Sequence, residues 1–221
     1  MTRFRSSTKA ANFRAPGGKQ CRADMPKLTA AFFAFAAIGA VSPAFADTAT
    51  DSQIFGKDPG KGRAFACFVR HYDAAHLKAH PKQNVTDMLV LVDSAYDAES
   101  QSRSYNLTLG SNFRGVVKQF QSYGGCSGAI EGQKLSCYVD CDGGAIDVRF
   151  KDENSILVDI PYGARLEDPD ASLDEEPGAN VPEKAQFGPD DKTFLLSRAS
   201  PALCVDLINV DDKQLLLDAA R

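Results

Sequence analysis

The sequence predicts an antiparallel all-β domain, either a barrel or a sandwich with a small up-and-down barrel slightly favoured, and three observations predict it. From Thr86 onward, apolar residues recur with period two in short runs. Turn residues interrupt those runs at short intervals. No long helical pattern separates them, so neighbouring strands must return directly on one another, which favours local connections over crossovers.

The elements follow in order. Ala64 to Ala79 reads as a helix, because Phe65, Phe68, Val69, Tyr72, Ala75 and Ala79 recur at three- and four-residue spacing and Pro81 stops the pattern. The run MLVLV (Met88 to Val92) is continuous and apolar. SYNLTLG sets Tyr105, Leu107 and Leu109 on one face, and GVVKQF (Gly115 to Phe120) reads as the next strand. LSCYVDC, AIDVRF and ILVDI complete the main series, and Thr193 to Ser197 reads as a last strand. Residues 165–191 lack periodicity and hold four prolines and nine acids, so they read as a long acidic loop, solvated or else a docking segment for a basic partner. A short C-terminal helix is expected from Asp211, with that residue as its N-cap.

Two hairpins can be registered from sequence alone. Asp142-Gly143 as a two-residue turn pairs Val139 with Ile146, Cys137 with Val148 and Leu135 with Phe150, so that apolar residues meet apolar residues. A one-residue slip would set Val139 against Asp147 and spoil both faces. After the turn at Lys151 to Ser155, Ile156, Val158 and Ile160 fall opposite Phe150, Val148 and Ile146, giving a meander that Pro161 ends.

The N-terminus carries an export pattern. Leu28 to Val41 is uncharged, Lys27 precedes it, and Ser42-Pro43-Ala44-Phe45-Ala46 follows as a small-residue cleavage site. Fourteen apolar residues fall short of the roughly 20 that span a bilayer as a helix, so residues 1–46 are expected to be a cleaved signal rather than an anchor. Met25 offers a second start, in which case residues 1–24 are an artefact of start-site choice. The alternative is an unusually long basic leader. The mature domain is then 47–221, periplasmic or secreted, with 18 basic and 28 acidic residues and a formal charge of about −10. Such a chain is repelled by nucleic acid and by anionic lipid, which removes both as default partners.

Five cysteines remain after processing, and an oxidising compartment pairs such residues. Cys137 and Cys141 on one strand would sit too far apart to bridge. A two-residue turn at Glu131-Gly132 sets Cys126 opposite Cys137, which favours that pair, and Cys67 with Cys204 would staple the two ends of the domain. One cysteine is left over. A thiolate metal site beginning at Cys137 and Cys141 is the less favoured alternative in an exported chain.

Candidate chemistry is sparse. His71, His76 and His80 fall within ten residues, and on a helix His76 and His80 share a face with Asp73 one turn earlier. Two imidazoles and a carboxylate could converge there on zinc or copper, although Pro81 biases His80 away from helical geometry. The acidic run Asp140 to Asp147 carries Lys151 where a helix-loop-helix calcium site needs a bidentate glutamate, so that motif does not fit. No nucleophile elbow, HExxH, phosphate loop or dinucleotide fingerprint occurs. The expectation is therefore a non-catalytic exported binding or interaction protein for a protein or small-molecule ligand. A periplasmic metal-binding protein or metalloenzyme using Asp73, His76 and His80 is the alternative.

Overall fold

The computed structural model describes residues 46–127, 134–139, 142–172 and 174–221. Eight strands, β1 (Ala64–His71), β2 (Val85–Asp97), β3 (Ser102–Phe113), β4 (Phe120–Ser127), β5 (Lys134–Val139), β6 (Ala145–Asp152), β7 (Ser155–Asp159) and β8 (Thr193–Ala199), follow one another around a closed barrel. Every pairing is antiparallel, and β8 closes the barrel by pairing with β1. Helices are short: α1 (Ala46–Phe55), α2 (Ala74–Ala79), a 3-10 helix Pro201–Leu207 and α3 (Lys213–Ala219). The all-β architecture anticipated from the period-two runs is thus a closed up-and-down barrel.

Closure follows from alternation. Along β6, Ile146, Val148 and Phe150 are buried while Arg149 is exposed, and along β7 Ile156 and Val158 are buried between partly exposed neighbours. Inward residues from all eight strands form one contiguous core that includes Phe68, Met88, Leu107, Leu109, Leu135 and Leu196. Burying each such side chain contributes roughly 1.5–3 kcal/mol. The lumen is filled with side chains, as expected for a barrel of this strand number.

The helix expected over Ala64 to Ala79 is corrected by the structure: its first half is β1, and only Ala74–Ala79 is helical. The reason is that both faces of β1 are covered. Ala66 and Phe68 point into the lumen, whereas Phe65, Cys67 and Val69 join Leu91, Leu207 and Leu216 in a second cluster outside the barrel. A strand buried on both sides shows no alternation, and its apolar run mimics helical spacing by accident. The 3-10 helix and α3 lie over this outer face, and the Cys67–Cys204 disulfide, with Cα atoms 5.9 Å apart, holds them there.

The β5–β6 hairpin keeps its predicted faces but not its register. Leu135 opposes Val148 and Cys137 opposes Ile146, a slip of two residues from the expected pairs. A two-residue shift preserves which side chains point inward, so parity cannot detect it. The turn is longer than two residues: Val139 N–H bonds Gly144 O, leaving four residues between them. Gly144 sits at φ 94°, and a Cβ there would lie 2.6 Å from Gly163 O, so this glycine is consumed by contact with the Gly163–Ala164 segment rather than by the turn. The β6–β7 pairing, Phe150 with Ile156 and Val148 with Val158, matches the expectation. Cys126 opposes Cys137 and is bonded to it, although the Glu131-Gly132 turn lies outside the described residues.

Two further strand boundaries differ from expectation. GVVKQF is not a strand as a unit, since Gly115 adopts φ 67°, Val116 closes a turn on Phe113, and β4 begins only at Phe120. The N-cap of α3 is Asp212 rather than Asp211.

Both ends of the barrel are covered. At the end formed by the β2–β3 and β6–β7 hairpins, α1 inserts Ile54 into the core. Asp51 pairs with Arg103 Nε at 3.1 Å and accepts a bond from Tyr105 Oη at 2.7 Å, while Arg103 also donates to Ser94 and to the Gly60 and Gly62 carbonyls. Breaking a buried pair of this kind costs roughly 3–5 kcal/mol. Arg198 donates to the Gln53 and Ile54 carbonyls at the C-terminal end of α1, groups no helical N–H can reach. At the opposite end, residues 165–191 are as irregular as their sequence, yet they are tied down. Leu166 and Ala185 are buried in the core, Val181 and Phe187 pack against it, and Glu167 forms a two-way backbone bridge with Gln121. This segment is called the strap below. Among the described residues no helix is long and apolar enough to cross a membrane, and the two disulfides point to a non-cytoplasmic location.

Candidate functional site

With the lumen filled and both ends covered, the strap-covered rim is one place where concave surface occurs among the described residues. Two clefts adjoin there. One, of about 660 Å3, runs between the β5–β6 turn, Tyr162 to Leu166 and the strap residues Gly178, Val181 and Ala185. The other, of about 450 Å3, lies between Pro81 to Asn84, Arg114 and strap residues Gln186 to Pro189. Gln186 and Phe187 line both and join them.

This junction is positioned by a few buried contacts. Phe187 packs edge-on to Phe113 with ring centroids 5.6 Å apart. Asp191, buried at the foot of the strap, accepts from Asn84 N and Gly188 N at 2.7 Å and from Val85 N at 3.2 Å. Burial lifts its carboxyl above the usual carboxylate range, and the three N–H groups work against that rise. Asn84 returns the contact by donating its side-chain amide to the Lys184 and Gln186 carbonyls, both at 2.8 Å. A Cβ on Gly188 would stand 2.2 Å from Lys82 O, so only glycine lets the strap lie this close to the β1–β2 connection.

The electrostatics of the rim differ from those of the chain. Among the described residues, Lys82, Arg114, Arg165 and Lys192 line the two clefts against one carboxylate, Asp142. Arg114 spends its donors on neutral carbonyls, those of Gln83 at 2.7 Å, Leu77 at 2.5 Å and His80 at 2.9 Å. Among the described residues, Lys82, Arg114 and Lys192 form no ion pair with a carboxylate. The strap's own Asp168 and Asp170 are engaged elsewhere, with Lys118. On the outer wall beside the rim, Tyr123 donates to Gln121, and burial together with the nearby Glu167 carboxylate pushes its hydroxyl up to about 12.

The histidines lie next to the smaller cleft. Asp73 caps α2 by accepting from His76 N at 2.7 Å. His76 stacks on Tyr72 at 4.6 Å and on His80 at 4.3 Å, and Arg70 lies 4.8 Å over Tyr72, so the four side chains make one column. Gln83 Nε2 donates to Val85 O, which turns Gln83 Oε1 toward His76 and makes His76 Nε2 the donor in their 3.0 Å contact. The nitrogen of His76 left for any other partner is therefore Nδ1. His71 stands apart on β1, its Nδ1 2.6 Å from Asp87 across the β1–β2 ladder. Among the described residues no group of three or more His, Cys, Asp or Glu side chains is arranged to hold a metal ion.

No protein-family model, curated protein or solved structure matches this chain. The site therefore rests on its own geometry. Lys82, Arg114, Phe187 and Asp191 were not singled out by sequence reasoning. The turn signal Gly188-Pro189-Asp190-Asp191 was present, but nothing local marks its last acid as buried rather than solvated. Cys141 and Asp140 lie outside the described residues.

Proposed function

We propose that the chain is an exported, non-catalytic binding protein whose ligand site is the pair of clefts on the strap-covered rim. The observation that carries this reading is the concave surface of the strap-covered rim, where two open clefts adjoin beside a lumen filled with side chains. The N-terminal signal pattern and the two disulfides support an oxidising compartment outside the cytosol. The absence of a catalytic motif in the sequence supports binding over turnover. Native mass spectrometry of protein released gently from its own compartment tests the reading. The expected species begins at Asp47 and carries a bound molecule. A chain still beginning ahead of Asp47, or turnover of an ester, glycoside or peptide library that is lost on His71→Ala, His76→Ala or His80→Ala, would overturn it.

A second reading, metal binding through Asp73, His76 and His80, is favoured by one observation: the stacking that brings the two imidazoles together with His76 Nδ1 left over. The Asp73 carboxylate is already engaged as a helix cap, which weighs against its serving as a third ligand. Elemental analysis of protein prepared without chelators decides it, stoichiometric zinc or copper being the supporting result and none the refuting one.

A further inference from the structure

The two clefts differ in chemistry along their length, and that difference specifies a ligand class. The larger cleft has Leu166, Val181, Ala185 and Phe187 along it, with Asp142, Arg165 and Lys192 also in its lining, and Phe187 continues into the smaller one. The smaller cleft has cationic walls, exposed Lys82 and half-buried Arg114, and no carboxylate among the described residues of its lining. A guanidinium bonded only to neutral carbonyls keeps its full positive charge, so Arg114 presents that charge to the cleft. Asp191 lies beneath, with its oxygens turned to three backbone N–H groups. In a mature chain of formal charge about −10, two adjoining cations without a carboxylate partner form a local exception, and complementarity of this kind selects for anionic partners.

Resting on the rim-site reading above, we propose that the paired clefts take an amphipathic organic anion. Its apolar body lies along Leu166, Val181 and Phe187, and its single anionic head sits between Lys82 and Arg114. Each cleft is of the size that small-ligand sites occupy, and apolar lining with a few placed charges is their usual composition. Carboxylate and phosphate heads share the recognising chemistry, so the class is defined by one anionic head and one apolar tail.

Titration calorimetry of the mature chain with decanoate, decanol and decyltrimethylammonium, all below their micelle concentrations, tests this. Decanoate is expected to bind one per chain, and decanol and the cation at least tenfold more weakly. Lys82→Glu, at an exposed position, should weaken decanoate roughly tenfold by reversing a charge at close range and leave decanol unchanged. Amide shift mapping places the binding independently of any variant, with Gly178 to Gly188 expected to move. If all three probes bind alike and shift those amides, the anionic class is wrong and the rim site stands. If none binds, or the shifts fall elsewhere, the rim reading fails together with the ligand class.

Discussion

The two disulfides close loops of very different length, and their removal should separate accordingly. Cys67 and Cys204 are 137 residues apart, whereas Cys126 and Cys137 are 11 apart. A cross-link restricts the unfolded chain in proportion to the logarithm of the loop it closes, which gives about 5 kcal/mol for the long loop and about 3 kcal/mol for the short one. The difference, about 2 kcal/mol, is the quantity to be measured. Packing adds to it in the same direction, since Cys67 on β1 and Cys204 in the 3-10 helix are both fully buried, whereas in the short-loop bridge Cys137 is fully buried and Cys126 only half-buried. Urea unfolding of Cys67→Ala/Cys204→Ala and of Cys126→Ala/Cys137→Ala, each against the parent at equal slope, reads the difference directly. If losing the short-loop bridge costs as much as losing the long one, the view that Cys67–Cys204 is the main staple of the fold is wrong.

Three further outcomes are expected. Asp191→Ala leaves three backbone N–H groups at the foot of the strap without their acceptor, so stability should fall by about 2–4 kcal/mol in thermal unfolding, with Asp191→Asn losing less because one oxygen acceptor remains. In an alkaline absorbance titration the Tyr123 hydroxyl should ionise only near pH 12, and Tyr123→Phe should remove its contribution there. Because the folded state holds the Tyr123 proton more tightly than the unfolded chain does, its share of stability is present below pH 10 and is lost as pH rises toward 12. Thiol titration of denatured, unreduced mature protein should find one reactive group per chain, and Cys141→Ser should abolish it, since the other four cysteines of the mature chain are bridged.

What could be read from the sequence was what parity and pairing determine. Alternation assigned the inward faces of β3 and of β5 to β7, and register arithmetic set Cys126 opposite Cys137 and Val148 opposite Val158. What escaped was whatever depends on a third partner. The β1 strand was mistaken for a helix because α3 and the 3-10 helix cover its outer face, and no local pattern announces that cover. The β5–β6 register slipped by two because Gly144 is taken up by Gly163, some twenty residues away. The rim site was hidden for the same reason: Lys82, Arg114 and Phe187 come from three separate connections and meet only when the barrel closes. His76 and His80 were grouped correctly, but their stacking and the Gln83 contact that orients His76 are tertiary facts.

The two closures of the barrel are built from unequal materials, and this bears on which end can respond to a ligand. At the α1 end a buried ion pair, a tyrosine hydroxyl and two arginine-to-carbonyl bonds act on one helix whose Ile54 is fully buried. At the strap end the backbone bonds of the middle section are single three-residue turns, such as Ala171 to Asp168, Glu175 to Ser172 and Ala179 to Glu176, mostly at exposed positions. Opening such turns exposes little apolar surface, so it costs far less than global unfolding. Amide hydrogen exchange should therefore find Ala171, Glu175 and Ala179 fast. Gly188, bonded to buried Asp191, should be slower, and Ile54 and Phe55 should be near the slowest in the chain. Amides of Ile54 and Phe55 exchanging as fast as Glu175 would refute this ordering, and would make the α1 end the movable one instead of the rim that carries the clefts.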